Sequence, residues 1–168
     1  MKVKTIIFVF CTLLFGCRKD NALNVTLNGA LTGCPANNTC TYIFYNNADF
    51  SPGNQPKAGN GRVFGYKSII SNFCGATSGL YFETSLSNND FDITSDQIVS
   101  AQVVAYNIEC PCCEYAVLTT KPIGGEIKGK RVNATSWLVN ASVILGTSAN
   151  IPVDTLTVNQ YFTLGQLP

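Results

Sequence analysis

The chain has 168 residues, with eleven Lys and Arg, ten Asp and Glu, and no histidine. A formal charge of +1 lacks the strong basic excess of nucleic-acid-binding proteins, so no nucleic-acid partner is expected. The lack of histidine excludes Ser-His-Asp and Cys-His catalysis, and it excludes metal sites with histidine ligands. Carboxylates, tyrosine, lysine and thiols are the groups that remain for chemistry.

The first seventeen residues, MKVKTIIFVFCTLLFGC, have the layout of an export signal. Lys2 and Lys4 precede an apolar run at residues 5–14, which is too short to cross the ~30 Å hydrocarbon core of a membrane as a helix. The stretch ends in Leu14-Phe15-Gly16-Cys17. This ending resembles the lipobox of bacterial lipoproteins, in which an aliphatic residue and two mostly small residues precede a cysteine.

The lipobox resemblance implies a signal peptide at residues 1–16 and a lipid on the thiol of Cys17, the new N-terminus after cleavage. Acyl chains that contribute ~0.8 kcal/mol per buried CH₂ group anchor such a protein in a membrane. Arg18 stands where Asp would imply retention at the inner membrane. The resemblance therefore implies the outer membrane of a Gram-negative cell envelope, on its periplasmic or its surface face. Residues 17–22 then form a lipidated tether, and residues 23–168 form a single domain.

Nine short runs rich in β-branched and aromatic residues follow, and several alternate apolar with polar side chains. The runs lie at residues 23–27, 41–45, 62–70, 80–86, 99–106, 114–120, 126–132, 135–145 and 155–164. The clearest alternation places Trp137, Val139, Ala141, Val143 and Leu145 on one face. The sequence predicts an all-β fold, an antiparallel β-sandwich or a barrel-like variant of it, with eight or nine strands.

Three local signals bear on where these strands begin and end. Thr94-Ser95-Asp96-Gln97 has the form of a capping box, so a helix from Ser95 is the alternative to the strand at 99–106. The valines of that run favour the strand. Gly59-Asn60-Gly61 and Gly124-Gly125 are predicted to form turns, because glycine adopts positive φ without strain.

Beyond the lipobox cysteine and Cys11 in the leader, six cysteines predict up to three disulfides that brace the domain. They are Cys34, Cys40, Cys74, Cys110, Cys112 and Cys113. Cys34 and Cys40 bracket a five-residue loop and form the pair that is most readily assigned. A pairing of Cys74 with the cluster at 110–113 is open.

The cluster Cys110-Pro111-Cys112-Cys113 has the C-P-x-C spacing of thiol–disulfide oxidoreductases. Strands flank it and no helix pattern follows, so separate structural bridges are the favoured interpretation. The alternative is a thiol site in which Cys110, Cys112 and Cys113 handle redox equivalents or bind a soft metal ion. No cofactor and no metal are expected under the favoured interpretation.

Several surface residues are candidates for ligand binding. Lys121, Lys128, Lys130 and Arg131 predict a basic patch around the Gly124-Gly125 turn, either a solvated face or a docking surface for anionic glycans. The tyrosines are expected in the core or, alternatively, as platforms for sugar rings; they are Tyr42, Tyr45, Tyr66, Tyr81 and Tyr106.

The favoured function is a non-enzymatic binding or accessory module of the cell envelope, whose ligand is a glycan or another envelope protein. The thiol site at Cys110–Cys113 is the first alternative. A carboxylate-dependent glycan hydrolase is the second, and it requires two acidic side chains held together in one cleft.

Overall fold

The computed structural model describes residue 27 and residues 29–50, 55–100, 103–112 and 120–167. Within them lie one short helix, α1 (Ser95–Val99), and eight strands. The strands are β1 (Asn38–Asp49), β2 (Lys57–Ile70), β3 (Ala76–Ser85), β4 (Phe91–Ile93), β5 (Val104–Glu109), β6 (Lys121–Asn133), β7 (Ser136–Gly146) and β8 (Pro152–Leu164). The predicted all-β, disulfide-braced fold is confirmed.

All eight strands belong to one curled sheet, in the order β4-β6-β7-β8-β1-β2-β3-β5. In a flat sheet with strands ~4.8 Å apart, β2 and β4 would be ~24 Å from each other. Instead, the ring centroids of Phe64 on β2 and Phe91 on β4 are 5.1 Å apart. The sheet therefore wraps around its own interior, which is the barrel-like form of the predicted architecture.

One strand pair in the sheet is parallel. β1 and β8 run in the same direction where Ile43 pairs with Thr163 and Phe44 with Leu164, and the other neighbouring strands are antiparallel. Parallel neighbours need a long connection between them. The first and last strands have one, because the six other strands lie between them in the chain.

The interior of the curl is filled by aromatic rings around Phe64, which is fully buried. Its ring stacks on Phe82 at a centroid distance of 4.9 Å and meets the edges of Trp137 and Phe162 at 5.8 Å each. On β7 the predicted alternation is confirmed, since its inward side chains are at most 2% exposed: Trp137, Val139, Ala141, Val143 and Leu145. Side chains from distant strands thus share one core.

Helix α1 packs against β6 and β5 and buries Ile98 completely. The capping box at its start is present, and the N–H of Thr94 donates to Oε1 of Gln97 at 2.9 Å. The predicted strand at 99–106 is therefore wrong at its beginning, since Val99 ends the helix and β5 begins at Val104. No helix in the described part of the chain is long and apolar enough to span a membrane.

One cation lies inside the curl, because Arg62 on β2 points inward and is 3% exposed. Its Nε donates to Oδ1 of Asn46 at 2.7 Å, and its Nη1 donates to the carbonyl of Ser87 at 2.6 Å. The guanidinium lies 4.6 Å from the centroid of Trp137, a cation–π contact. Burial lowers the pKa of Arg62 from its ordinary value, and the nearby charge of Arg131 lowers it further.

Two disulfides join described residues. Cys34–Cys40, with a Cα–Cα distance of 5.6 Å, confirms the predicted pair at the start of β1. Cys74–Cys112, at 6.1 Å, ties the turn between β2 and β3 to the end of β5. Cys110 is disulfide-bonded as well.

Both glycine turns were predicted wrongly. Gly59-Asn60-Gly61 lies inside β2 and Gly124-Gly125 inside β6, where the register with β7 shifts between Pro122 and Gly124. Glycine permits bulges and close backbone contacts within strands as well as turns, and these two segments use it in that way. The sequence also gave no indication of the three-residue strand β4. Of the predicted strands at 23–27 and 114–120, all but Leu27 and Thr120 lie outside the described residues.

Candidate functional site

An open cleft of about 560 Å³ is lined by described residues of β1, β2, β3, β4 and α1. It lies at the seam of the curled sheet, where the last residues of β3 extend beyond β5 and face β4 and the start of α1. Its volume falls within the roughly 300–1,000 Å³ that is typical of ligand pockets. The open seam of the sheet thus forms a concave surface of the size that binds ligands.

Asp49, the last residue of β1, forms one wall of this acidic cleft. Its Oδ1 accepts hydrogen bonds from the backbone N–H groups of Asn60 at 2.8 Å and Gly61 at 3.1 Å. A Cβ at Gly59 would collide with the carboxylate. The glycines that were predicted to form a turn therefore make room for Asp49 instead.

Glu83 on β3 lies beside Asp49. Its Oε2 accepts the N–H of Phe50 at 3.3 Å, and its Oε1 is 2.8 Å from the position that a Cβ at Gly61 would occupy. Burial raises the pKa of Glu83 above its ordinary value; the N–H of Phe50 opposes this shift, and the neighbouring Asp49 adds to it. Glu83 therefore takes up a proton at a higher pH than an unperturbed glutamate does.

Asp92 on β4 contributes the third carboxylate of the acidic cleft. Its Oδ1 is buried and has no hydrogen-bond partner among the described residues. Lys128 pairs with Asp92 across β4 and β6, but its ammonium binds Glu126 at 2.6 Å on the outer face of β6. The side chains that line the cleft in the described chain include neither Lys nor Arg. Three carboxylates without a lining base give this cleft a negative potential.

The predicted basic patch does not form a single surface. All four residues lie on β6, but Lys121 and Arg131 are ten positions apart, or ~33 Å along a strand. Arg131 pairs with the inward-facing Trp137 and approaches Arg62, whereas Lys128 and Lys130 lie on the outer face. The predicted patch depended on a turn at Gly124-Gly125, but these two residues lie inside β6.

The predicted tyrosines divide between the two faces of the sheet. Tyr42, Tyr66 and Tyr106 pack against the interior, as expected for core residues. Tyr45 and Tyr81 lie on the outer face, where they pack on a second apolar cluster that includes Val63. Of the five predicted tyrosines, only Tyr45 and Tyr81 therefore remain candidates for the alternative role, a platform for sugar rings.

The cysteine cluster contains fewer available thiols than a metal site requires. Cys112 is bonded to Cys74 and Cys110 is disulfide-bonded, so neither presents a thiolate. Cys113 and the lipidation candidate Cys17 lie outside the described residues. Within the described ranges, no group of three or more Cys, Asp or Glu side chains is placed to hold a metal ion.

Comparison with protein-family models, curated proteins and solved structures finds no match to this chain. The fold and the site together define a disulfide-braced, all-β domain with an acidic cleft at the open seam of its sheet. Nothing in the fold or in the comparisons points to an enzyme.

The residues of the acidic cleft were not singled out as a group from the sequence. Asp49 and Glu83 are separated by more than thirty residues, and each stands among ordinary strand residues. The sequence carries no signal that joins the three acids. The register of β1, β2 and β3 places Asp49 beside Glu83, and the curl of the sheet brings β4, with Asp92, to the same cleft.

Proposed function

We propose that this chain is an envelope lipoprotein, anchored in the outer membrane through a lipid on Cys17, whose β domain is a non-enzymatic binding module. The acidic cleft is the binding site in this proposal, and its ligand carries a cationic amine or guanidinium group. The lipobox-type leader supports the anchor. The single observation that carries the binding role is the convergence of Asp49, Glu83 and Asp92 in the cleft.

A cationic ligand is favoured because three carboxylates line the cleft and its described lining includes neither Lys nor Arg. Oδ1 of Asp92 is buried without a hydrogen-bond partner among the described residues, an arrangement that costs free energy in the unliganded protein. An ammonium or guanidinium bound in the cleft would offset the negative charge of this carboxylate. Asp49 and Glu83 on the facing wall would add attraction for the same charge.

The cation can be carried by a small amine or by a basic side chain of an extended peptide. The peptide fits the shape of the seam, because β4 pairs only with β6 among the described strands, and Thr84 and Ser85 of β3 extend beyond its pairing with β5. Such open strand edges accept an added strand through main-chain hydrogen bonds. Comparison of a polyamine with a basic peptide separates these two sources.

The proposal is tested by titration of the domain with trilysine, spermidine and triglutamate, measured by calorimetry. Trilysine or spermidine should bind and triglutamate should not, and Glu83→Gln should weaken binding about tenfold, or 1.4 kcal/mol. Binding by the wild type should also weaken as the pH is lowered, because Glu83 takes up a proton at a higher pH than an unperturbed glutamate does. Glu83→Gln removes this contribution to the pH dependence.

Asp154→Asn is the matched control, since Asp154 is an exposed acid of β8 that does not line the cleft. Its loss should leave the affinity unchanged. Equal weakening by both variants, or equal affinity for triglutamate, would show that only the net charge of the domain matters and would refute a site in the cleft.

Hydrolysis is the second candidate, because the acidic cleft holds the two neighbouring carboxylates that this reaction needs and the pKa of Glu83 is raised. Binding is favoured over hydrolysis because Asp49 and Glu83 both accept backbone N–H groups and so also have a structural role. Release of a chromophore from aryl glycosides by the wild type, lost in Glu83→Gln, would decide for the enzyme.

The lipid anchor is tested by expression of the full chain in a Gram-negative host with labelled palmitate. Cys17→Ser should abolish the label and release the protein from the membrane fraction, because the anchor is attached to that thiol. Cys11→Ser, a matched substitution within the leader, should leave both unchanged. A membrane-bound, labelled Cys17→Ser variant would contradict the proposed anchor.

A further inference from the structure

A second concave surface lies on the outer face of the sheet, formed by β1, β2, β3 and β5. Two adjoining depressions of about 140 and 40 Å³ share the side chains of Gln55, Lys67 and Tyr81. The strand register explains how they meet, since Gly65 pairs with Tyr81 and Lys67 pairs with Gly79 on neighbouring strands. These depressions together are called the tyrosine groove.

The floor of the tyrosine groove is the ring of Tyr81, which lies flat on the sheet. Ring atoms of Tyr81 come within 3.0 Å of the position that a Cβ would occupy at Gly65, and within 2.9 Å of the corresponding position at Gly79. Any other residue at these two positions would push the ring away from the strands. Tyr81 is half-buried and lines both depressions, so part of its ring surface faces the solvent.

The sides of the tyrosine groove carry hydrogen-bonding groups that the protein does not use. The side chains of Lys67, Asn107 and Glu109 line it, and they form no hydrogen bond or ion pair with any described residue. They provide donors, acceptors, one positive charge and one negative charge. The groove thus combines an aromatic surface with free polar groups and has no net charge from its lining.

We propose that the tyrosine groove binds a neutral sugar residue of a glycan. The C–H face of a sugar ring packs on the face of Tyr81, while its hydroxyls exchange hydrogen bonds with Lys67, Asn107 and Glu109. A charged ligand would meet a repulsive partner in either Lys67 or Glu109. The larger depression, of about 140 Å³, has room for a single ring, and the smaller one, of about 40 Å³, has room for a hydroxyl group or one water molecule. This site is separate from the acidic cleft. The two sites share no lining residue, although both are formed in part by β1, β2 and β3.

The experiment is a titration of the isotopically labelled domain with neutral oligosaccharides of glucose, mannose and N-acetylglucosamine, followed by amide chemical shifts. At least one sugar should shift the amides of Lys67, Gly79 and Tyr81 in a saturable manner. Tyr81→Ala should weaken the binding at least tenfold, whereas Tyr81→Phe, which keeps the ring, should stay within about threefold.

Tyr161→Ala is the control, because Tyr161 is an exposed tyrosine of β8 outside the groove. Tyr81 also packs on an apolar cluster, so Lys67→Ala provides a second variant that leaves the ring in place and should weaken binding severalfold. The proposal would be overturned if none of the sugars binds or if the chemical-shift changes are centred outside the groove. It would also be overturned if Tyr81→Ala and Lys67→Ala both leave the affinity unchanged. Glu83→Gln should leave sugar binding intact, so failure here and failure of the cation site are independent results.

Discussion

Replacement of Phe64 by alanine is expected to lower the free energy of unfolding by about 3–5 kcal/mol. The ring of Phe64 is fully buried and contacts five other aromatic rings. They come from strands on both sides of β2 in the sheet: Phe44, Phe82, Phe91, Trp137 and Phe162. Its removal leaves a cavity where β2 meets β4 and β7 across the interior. Equilibrium unfolding in urea with the disulfides intact measures the change.

Phe73→Ala is the control for Phe64→Ala, because Phe73 lies in the turn after β2 and is 53% exposed. Its loss should change the free energy of unfolding by no more than about 0.5 kcal/mol. Equal effects of the two substitutions would mean that the rings do not form one shared core. The sheet would then not be curled as described.

The parts of the fold that were predicted correctly are those that depend on local periodicity. The alternation in β7 identified its buried face. A two-residue period reflects only the pleat and one buried face, so it is visible in the sequence of a single strand. It does not reveal which strands become neighbours, and the parallel pair of β1 with β8 was not foreseen.

The helix α1 shows how two local signals compete. Thr94 and Gln97 predicted a helix start, and Val99 and Val103 favoured a strand. The helix signal was right for residues 95–99, and the strand prediction was right only from Val104, where β5 begins. Tertiary packing decided the boundary, since Ile98 on the short helix fills the space beside β6 that would otherwise be empty.

The candidate sites could not be predicted because each depends on the register between strands. Asp49 and Glu83 meet through Gly61, which donates its N–H to one carboxylate and leaves space for the other. Tyr81 forms a platform because Gly65 and Gly79 happen to be its neighbours on the sheet. Glycines inside strands therefore shape both surfaces.

The second large effect on stability is expected at Gly125, and it tests directly whether a glycine inside a strand shapes the sheet. Gly125→Ala is expected to lower the free energy of unfolding by about 3 kcal/mol or more. Its φ of +117° strains any L side chain, and a Cβ there would collide with the backbone carbonyl oxygen of Ser142 on β7. Because the obstacle is backbone, relief requires β6 and β7 to separate or to change register.

Substitutions at two other glycines distinguish the two causes of this effect, backbone strain at positive φ and the collision with Ser142. Gly75 has a φ of +66° but open space around it, so Gly75→Ala should cost only the backbone strain, about 1–2 kcal/mol. Gly33 has open space and no positive φ, so Gly33→Ala should change stability by less than about 1 kcal/mol in either direction. The expected order is therefore Gly33, then Gly75, then Gly125. If Gly125→Ala is no more harmful than Gly75→Ala, the close contact with Ser142 is absent, and Gly124-Gly125 behaves as the turn that its sequence suggests.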